Sequence, residues 1–500
     1  MAARFGVSLR NVWHGRSWGK CYPELALLVI SIFGLSSCND WLEEHPKAVA
    51  AETFYNTEAE LHAALLAPIQ KFRSTFNMNL PGMLESLSDM NYPRGSWEPI
   101  NDYATLNATN INRSDNAWSS FYQSIRDCNI VLEQLPKNNL EESKKNQFEG
   151  QFRFLRAFDY FYIVRLFGKG PLRTEKNMNE FNLAISDKNT LYNYIIEDLT
   201  YACQNSPETD EVGLPTKYAA LSLLAEVNMY LGKYSEAASL AKQVIDSGKY
   251  DLVKVSVSED FDNVFGPDLG TSKEEIFYGK NDNTVPGNGW LFVMLCSHPG
   301  AYPRGQKFDQ AGGWYGLYTR DENKMINKWE AKDLRRDYNL FKYNFGLGDN
   351  TYLNCKFISP NASDAGNDNP FIRYADVLLL YAEATMLSSG VPTVESMEAL
   401  NKVHRRAYGY DPNSTSEVDY ALSDYNTKES FYEILDKEEG YETYNEGKRW
   451  FYLVRRGIAA EQILKLKGKT VQNTCYAWKI PDSEINYNES ITQADQNPGY

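Results

Sequence analysis

Apolar side chains recur every three or four positions through several long stretches of the chain, and this period predicts mostly α-helix. Thr57 opens a capping box with Glu60 and predicts a helix to about Arg73. In AWSSFYQSIRDCNIVLEQLP, the residues Trp118, Tyr122, Ile125, Asn129 and Leu132 share one helical face. The stretch NQFEGQFRFLRAFDYFYIVRLFGKGP has a broader stripe: Phe148, Phe152, Leu155, Phe158, Tyr162 and Leu166, widened by Phe154 and Phe161. A stripe that wide has to be covered on two sides, so this helix is central, and Gly168, Gly170 and Pro171 end it. KYAALSLLAEVNMYLGKYSEAASLAKQVIDSGKYDL reads as a helix–turn–helix of tetratricopeptide type. Ala220, Ala225 and Ala238 allow close approach, and Gly232 makes the turn. Similar pairs fall at 370–407 and 428–457, and such pairs bury their apolar faces only by stacking on one another. Between them lie two irregular, aromatic-rich regions, about 77–117 and 251–368, whose rings argue for order.

The first forty residues break the pattern. Leu25 to Leu35 is apolar but too short to span a bilayer, and Arg4, Arg10, Arg16 and Lys20 precede it, the layout of an export signal. The run ends in Leu35-Ser36-Ser37-Cys38, which resembles the bacterial lipobox. Residues 1–37 are therefore expected to be removed, Cys38 to be acylated as the membrane attachment point, and 38–56 to act as a tether to a single helical unit, 57–500. Several acyl chains on one residue give stable anchoring where one chain binds only marginally.

Charge narrows the partners. The chain carries 51 basic and 66 acidic residues, a net charge of −15, and removal of the leader makes the remainder more acidic still. With no basic stripe, nucleic acid is not an expected partner. Cys21 leaves with the leader and Cys38 is lipidated. The other five cysteines, Cys128, Cys203, Cys296, Cys355 and Cys475, are scattered without CxxC spacing, and disulfides are not expected to hold the fold.

Several motifs resemble those of the SusD/RagB family of outer-membrane nutrient-binding lipoproteins. FLRAFDYFYIVRLFGKGPL is similar to that family's central helix, with Arg156, Ala157, Tyr160, Phe161 and Gly168 in place. NPFIRYADVLLLYAEA brings Arg373, Tyr374, Asp376 and Ala382-Glu383-Ala384, and ALNKVHRRAYG brings Asn401, Arg406 and Ala407. EGKRWFYLVRRG and WKIPDSEINYNESITQADQNPGY resemble the C-terminal signatures. His404, Glu439, Thr443 and Tyr452 depart from the pattern. Glu383, Arg406 and Arg449 are expected to be structural, surviving inside the helices because they are paired. The resemblance implies a mainly α fold, a scaffold of about four tetratricopeptide-like helix pairs with a loop-rich ligand-binding subregion. It also implies a surface-exposed, lipid-anchored place at the outer membrane and a SusC-like TonB-dependent barrel as partner. The tether would then hold the body beside its barrel at high effective concentration.

No catalytic constellation is apparent. His45, His62, His298 and His404 are isolated, and no HExxH, GxSxG or P-loop occurs, so no enzyme activity and no cofactor are expected. NASDAGNDNP and KNDNTVPGNG have oxygen ligands for a structural calcium, but turn formation accounts for them more simply. Binding is better provided for. A sugar ring presents a C–H face and a rim of hydroxyls, which aromatic platforms edged by amide, carboxylate and guanidinium groups complement. The long loops supply Trp97, Tyr103, Trp290, Tyr302, Trp314 and Tyr315 as candidate ligand-binding residues, with Tyr92, Arg94, Asn101, Arg304 and Arg320 beside them and His298 in the same loop. The expected cargo is a glycan, with peptide as the alternative.

Overall fold

The computed structural model describes residues 54–308 and 312–500; the leader 1–37, Cys38 and the tether up to residue 53 lie outside the described residues. Helices dominate. In chain order the main ones are α1 Glu58–Phe76, α2 Asn79–Leu87, α3 Ala108–Gln134, α4 Glu142–Phe167, α5 Lys188–Asn205, α6 Lys217–Tyr230 and α7 Tyr234–Asp246. After a long interruption come α8 Tyr374–Ser389, α9 Val394–Ala407, α10 Lys428–Glu442, α11 Arg449–Arg455 and α12 Ala459–Lys467.

Local chemistry sets the helix ends. The Thr57 side chain accepts from the Glu60 N–H while the Glu60 carboxylate accepts from the Thr57 N–H, closing the capping box, and α1 runs three residues beyond Arg73. Gly168 caps α4 at φ 74°, and Gly232 turns α6 into α7 at φ 70°, both in the left-handed region that glycine enters without a steric penalty. The consecutive pairs α4–α5, α6–α7 and α8–α9 pack face to face, and α8 also lies on α7 and α10, so the pairs stack into the expected tetratricopeptide-like scaffold.

Every member of the α4 stripe except half-buried Tyr162 is enclosed. Its Phe158 meets Phe72 of α1 at 5.2 Å and, from outside the helices, Phe277 at 5.6 Å and Phe371 at 5.3 Å. Each such ring contributes about 1.5–3 kcal/mol by burial. Cys128, Cys296, Cys355 and Cys475 are buried and Cys203 half-buried, all as free thiols.

The irregular regions are more ordered than expected. Region 77–117 contains α2, a 3₁₀ segment Gly95–Asp102 and the first turns of α3, which Asn107 caps through its side chain. The strands are short: β1 Tyr92–Pro93, β2 Gly170–Pro171, β3 Ile185–Ser186, β4 Glu275–Gly279, β5 Leu317–Arg320, β6 Leu340–Lys342, β7 Thr351–Asn354 and β8 Asn369–Arg373. β1, β5, β7 and β6 form one antiparallel sheet in that order, with Tyr92 opposite Tyr318, Tyr318 opposite Leu353 and Phe341 opposite Leu353. β4 pairs with β8, which places Phe277 and Phe371 against α4.

A buried ion network joins the loop-rich region to the scaffold. Arg373 reaches Glu274 at 3.3 Å and both Glu442 and Glu446 at 2.8 Å; Arg406 bridges Glu274 and Glu442. Arg335 holds Asp333 and Glu438 at 2.7 Å and Glu442 at 3.1 Å. Burial alone would raise the Glu442 carboxyl, but Arg406, Arg373 and Arg335 hold it well below the usual carboxylate range. Glu383 pairs with Arg455 at 2.6 Å and Arg449 with Asp89 at 2.8 Å, so the polar motif residues are structural pairs. Among the described residues no helix is long and apolar enough to cross a membrane.

Candidate functional site

The β1–β5–β7–β6 sheet and the loops beside it gather the exposed aromatic chemistry. Tyr92 and Tyr318, opposite each other in the register, have ring centroids 6.0 Å apart. Phe345, just beyond β6, lies 5.4 Å from Tyr318 and 5.7 Å from Tyr315. His298 packs between Tyr315 at 4.5 Å and Tyr343 at 4.9 Å. The Arg94 guanidinium sits 4.4 Å above the Tyr315 ring and 5.6 Å from Phe345. Arg320 lies 5.2 Å from Tyr318 and 5.9 Å from Tyr92. Rings and guanidiniums thus interleave over one continuous face, half-exposed apart from the buried Tyr318 ring.

Close backbone approach builds this face. The Trp314 N–H donates to the Met294 carbonyl at 2.8 Å and the Tyr315 N–H to the Ser297 carbonyl at 3.0 Å, which lays the ring-bearing segment along 294–298. Only a glycine fits at 313, where a Cβ would fall 2.1 Å from Ser297 Oγ. Tyr315 is held at φ 37°, an uncommon conformation for a residue with a side chain, which costs roughly 1–2 kcal/mol. His298 Nδ1 accepts the Gly300 N–H at 3.0 Å, so the neutral ring carries its proton on Nε2. Burial and then the Arg94 charge push the His298 pKa down, which favours that neutral form.

Three of the six sequence-derived candidates stay out of the core, and of these Tyr315 makes ring contacts within this face. Tyr302 is 55% exposed, Trp314 48% exposed, and Tyr315 half-buried. The other three are corrected by the structure, which places them in the core. Trp290, 1% exposed, donates Nε1–H to the Phe76 carbonyl at 2.9 Å and packs against Phe357. Tyr103 is fully enclosed; its hydroxyl donates to the Ser88 carbonyl at 3.1 Å and accepts from Lys467 Nζ at 2.9 Å. Trp97 lies under the Arg113 guanidinium, 3.5 Å away, and against Gly82. The reason is physical: long loops need cores of their own, and large rings whose polar tips find partners inside are the best material for one. Sequence reasoning passed over Tyr318, Tyr343 and Phe345. The alternation in FKYNF, three rings at every second position leading out of a strand, was the available signal.

The two Asn/Asp-rich segments use their carboxylates internally. Asp364 accepts the Gly289 N–H at 2.7 Å, Asp368 pairs with Lys280, and Asp282 accepts the Thr284 N–H at 2.7 Å. Among the described residues no group of three or more His, Cys, Asp or Glu side chains converges as metal ligands.

The architecture defines the class: an α-helical protein whose stacked helix pairs carry a loop-built aromatic face on a short antiparallel sheet. The family profile described as "Starch-binding associating with outer membrane" matches residues 40–231, and that of the SusD family matches residues 304–500. The chain belongs to the SusD/RagB family. It is 27% identical to SusD-like protein P2 of Formosa agariphila, over 94% of this chain and 98% of that protein. The crystal structure of a SusD homolog from Bacteroides thetaiotaomicron superposes with a TM-score of 0.74 at 22% identity, covering 90% of this chain and 98% of the other. Surface glycan-binding protein A from the same organism, in complex with laminarihexaose, gives 0.69 at 19% identity, over 89% and 100%.

Proposed function

We propose that this protein captures glycans at the outer face of the outer membrane, where Cys38 anchors it, and hands them to a TonB-dependent barrel. The exposed rings around Arg94 and Tyr315 carry this reading. Tyr315, Tyr343 and Phe345 offer apolar faces to sugar C–H groups, while His298 Nε2–H and the Arg94 guanidinium offer donors to the hydroxyl rim. Membership of a family whose profile description includes starch binding, and likeness in fold to a protein solved with laminarihexaose, support it. No chemical step is required, and none is assigned to any residue.

The test is calorimetric titration of the full chain with oligosaccharides of varied linkage. Binding by the native protein that weakens at least tenfold in Tyr315→Ala, with an unchanged melting temperature, is the expected result. Undiminished binding in that variant would move the site elsewhere. Silence toward every glycan, together with peptides co-purifying with the native chain, would transfer the role to peptide cargo.

A further inference from the structure

Arg94 differs from the other arginines of the described residues. The others are committed to acceptors: buried Arg335, Arg373 and Arg406 share five carboxylates, though Arg406 Nε stays unpaired, buried Arg449 holds Asp89, and half-buried Arg113 bonds Ser96 and Asn110. The Arg94 side chain has no hydrogen bond and no ion pair, and its Nη1 is buried without an acceptor while its plane lies on the Tyr315 ring. Arg320, across the same strand pairing, bonds only the Tyr318 hydroxyl at 2.9 Å and leaves its Nε buried and unpartnered.

A guanidinium N–H buried without an acceptor is costly unless something supplies one. The protein has a large surplus of carboxylates, yet none is spent here. Asp321 engages Lys342 at 3.5 Å and the Tyr352 hydroxyl at 2.7 Å, Glu322 accepts from Asn350, and Asp349 accepts from Asn344 at 2.8 Å. Arg94 also depresses the His298 pKa, so its charge is felt at the neighbouring ring without being neutralised. A strongly acidic protein repels anionic ligands at long range. Two uncompensated cations set among stacking rings are what such a protein needs in order to hold one nonetheless, because charge-assisted hydrogen bonds are roughly twice as strong as neutral ones.

We propose that this face takes a glycan bearing an oxyanion, a carboxylate or sulfate ester on the sugar, seated on Arg94 with Arg320 beside it. The proposal rests on the glycan reading above and narrows it to a substrate class.

The experiment titrates the full chain, wild type and Arg94→Gln, with two probe pairs. One is hexagalacturonate and its fully methyl-esterified form; the other is a sulfated carrageenan hexasaccharide and its desulfated form. Tyr315→Ala serves as the control for the site. The expected result is that one acidic probe binds the wild type about tenfold or more tighter than its uncharged twin, with a salt-sensitive affinity. Arg94→Gln closes that gap, and Tyr315→Ala weakens both members of the pair. The pair that shows the gap distinguishes carboxylate from sulfate. Equal binding of charged and uncharged twins, or a gap that survives Arg94→Gln, overturns the oxyanion proposal and leaves glycan capture standing. Absence of binding by all four probes and by neutral glucans removes both.

Discussion

Glu442→Gln is the sharpest test of how the loop-rich region is held to the scaffold. The wild-type carboxylate receives Arg373 at 2.8 Å, Arg335 at 3.1 Å and Arg406, all inside the protein. The amide keeps the shape but removes the negative charge, and it turns an NH₂ toward guanidinium groups that cannot accept. Breaking a buried pair in this way costs about 3–5 kcal/mol. Unfolding entropy near 2.1 cal/mol/K per residue over roughly 450 residues makes 1 kcal/mol worth about 1 °C, so Tm should fall by about 3–5 °C in differential scanning calorimetry. The pH dependence adds a second reading. The native pKa of Glu442 lies well below its ordinary 4.5, so its stabilisation is fully present above 4.5 and is lost as pH falls toward the native value. The gap between wild type and variant should therefore stay constant from pH 5 to 8 and close only in acid. A drop under 1 °C, or a gap already closing at pH 6–7, would refute the ionised three-arginine arrangement.

Two further substitutions have clear signs. Trp290→Ala opens a core cavity and leaves the Phe76 carbonyl without its donor, so it should cost about 3–5 kcal/mol in denaturant unfolding; a surface ring would cost almost nothing. Glu439 faces a cavity of about 110 Å³ beside Asp376 and Arg455, and burial, with Glu383 second, pushes its pKa up to about 8. An unfolded carboxyl ionises near 4.5, so the native state loses stability as pH rises from 4.5 to 8. Glu439→Gln should come within about 1 kcal/mol of wild type at pH 5 and be the more stable at pH 8, by up to about 4 kcal/mol for the full shift, read from the two melting curves.

What the sequence revealed and what it hid divide along the range of the interactions. The α4 stripe, the Thr57–Glu60 box and the α6–α7 turn are legible because period, cap and glycine act within a few residues. The sheet is not, because β1 has two residues and its partner lies far along the chain; neither strand is long enough to show a period. The site was half legible. Residue type marked Trp290 and Trp314 alike as binding rings, but only the packing decides that one meets the Phe76 carbonyl and the other meets water. Arg94 and Arg320 carried no signal as sequence, since the missing acceptors at Arg94 and at Arg320 Nε exist only in the packing.

The pairing of β1 with β5 also bears on the order of biogenesis. The Thr319 hydroxyl closes on the Met90 carbonyl across 229 residues, so Tyr92 and Arg94 meet their companions only after most of the polypeptide has left the ribosome. Helices α1 to α7 are made before that pairing is possible, whereas α8, on which α7 packs, and α10 come after it. A chain cut short after α7 would therefore hold its early helices with neither the rest of the scaffold nor anything to grip with.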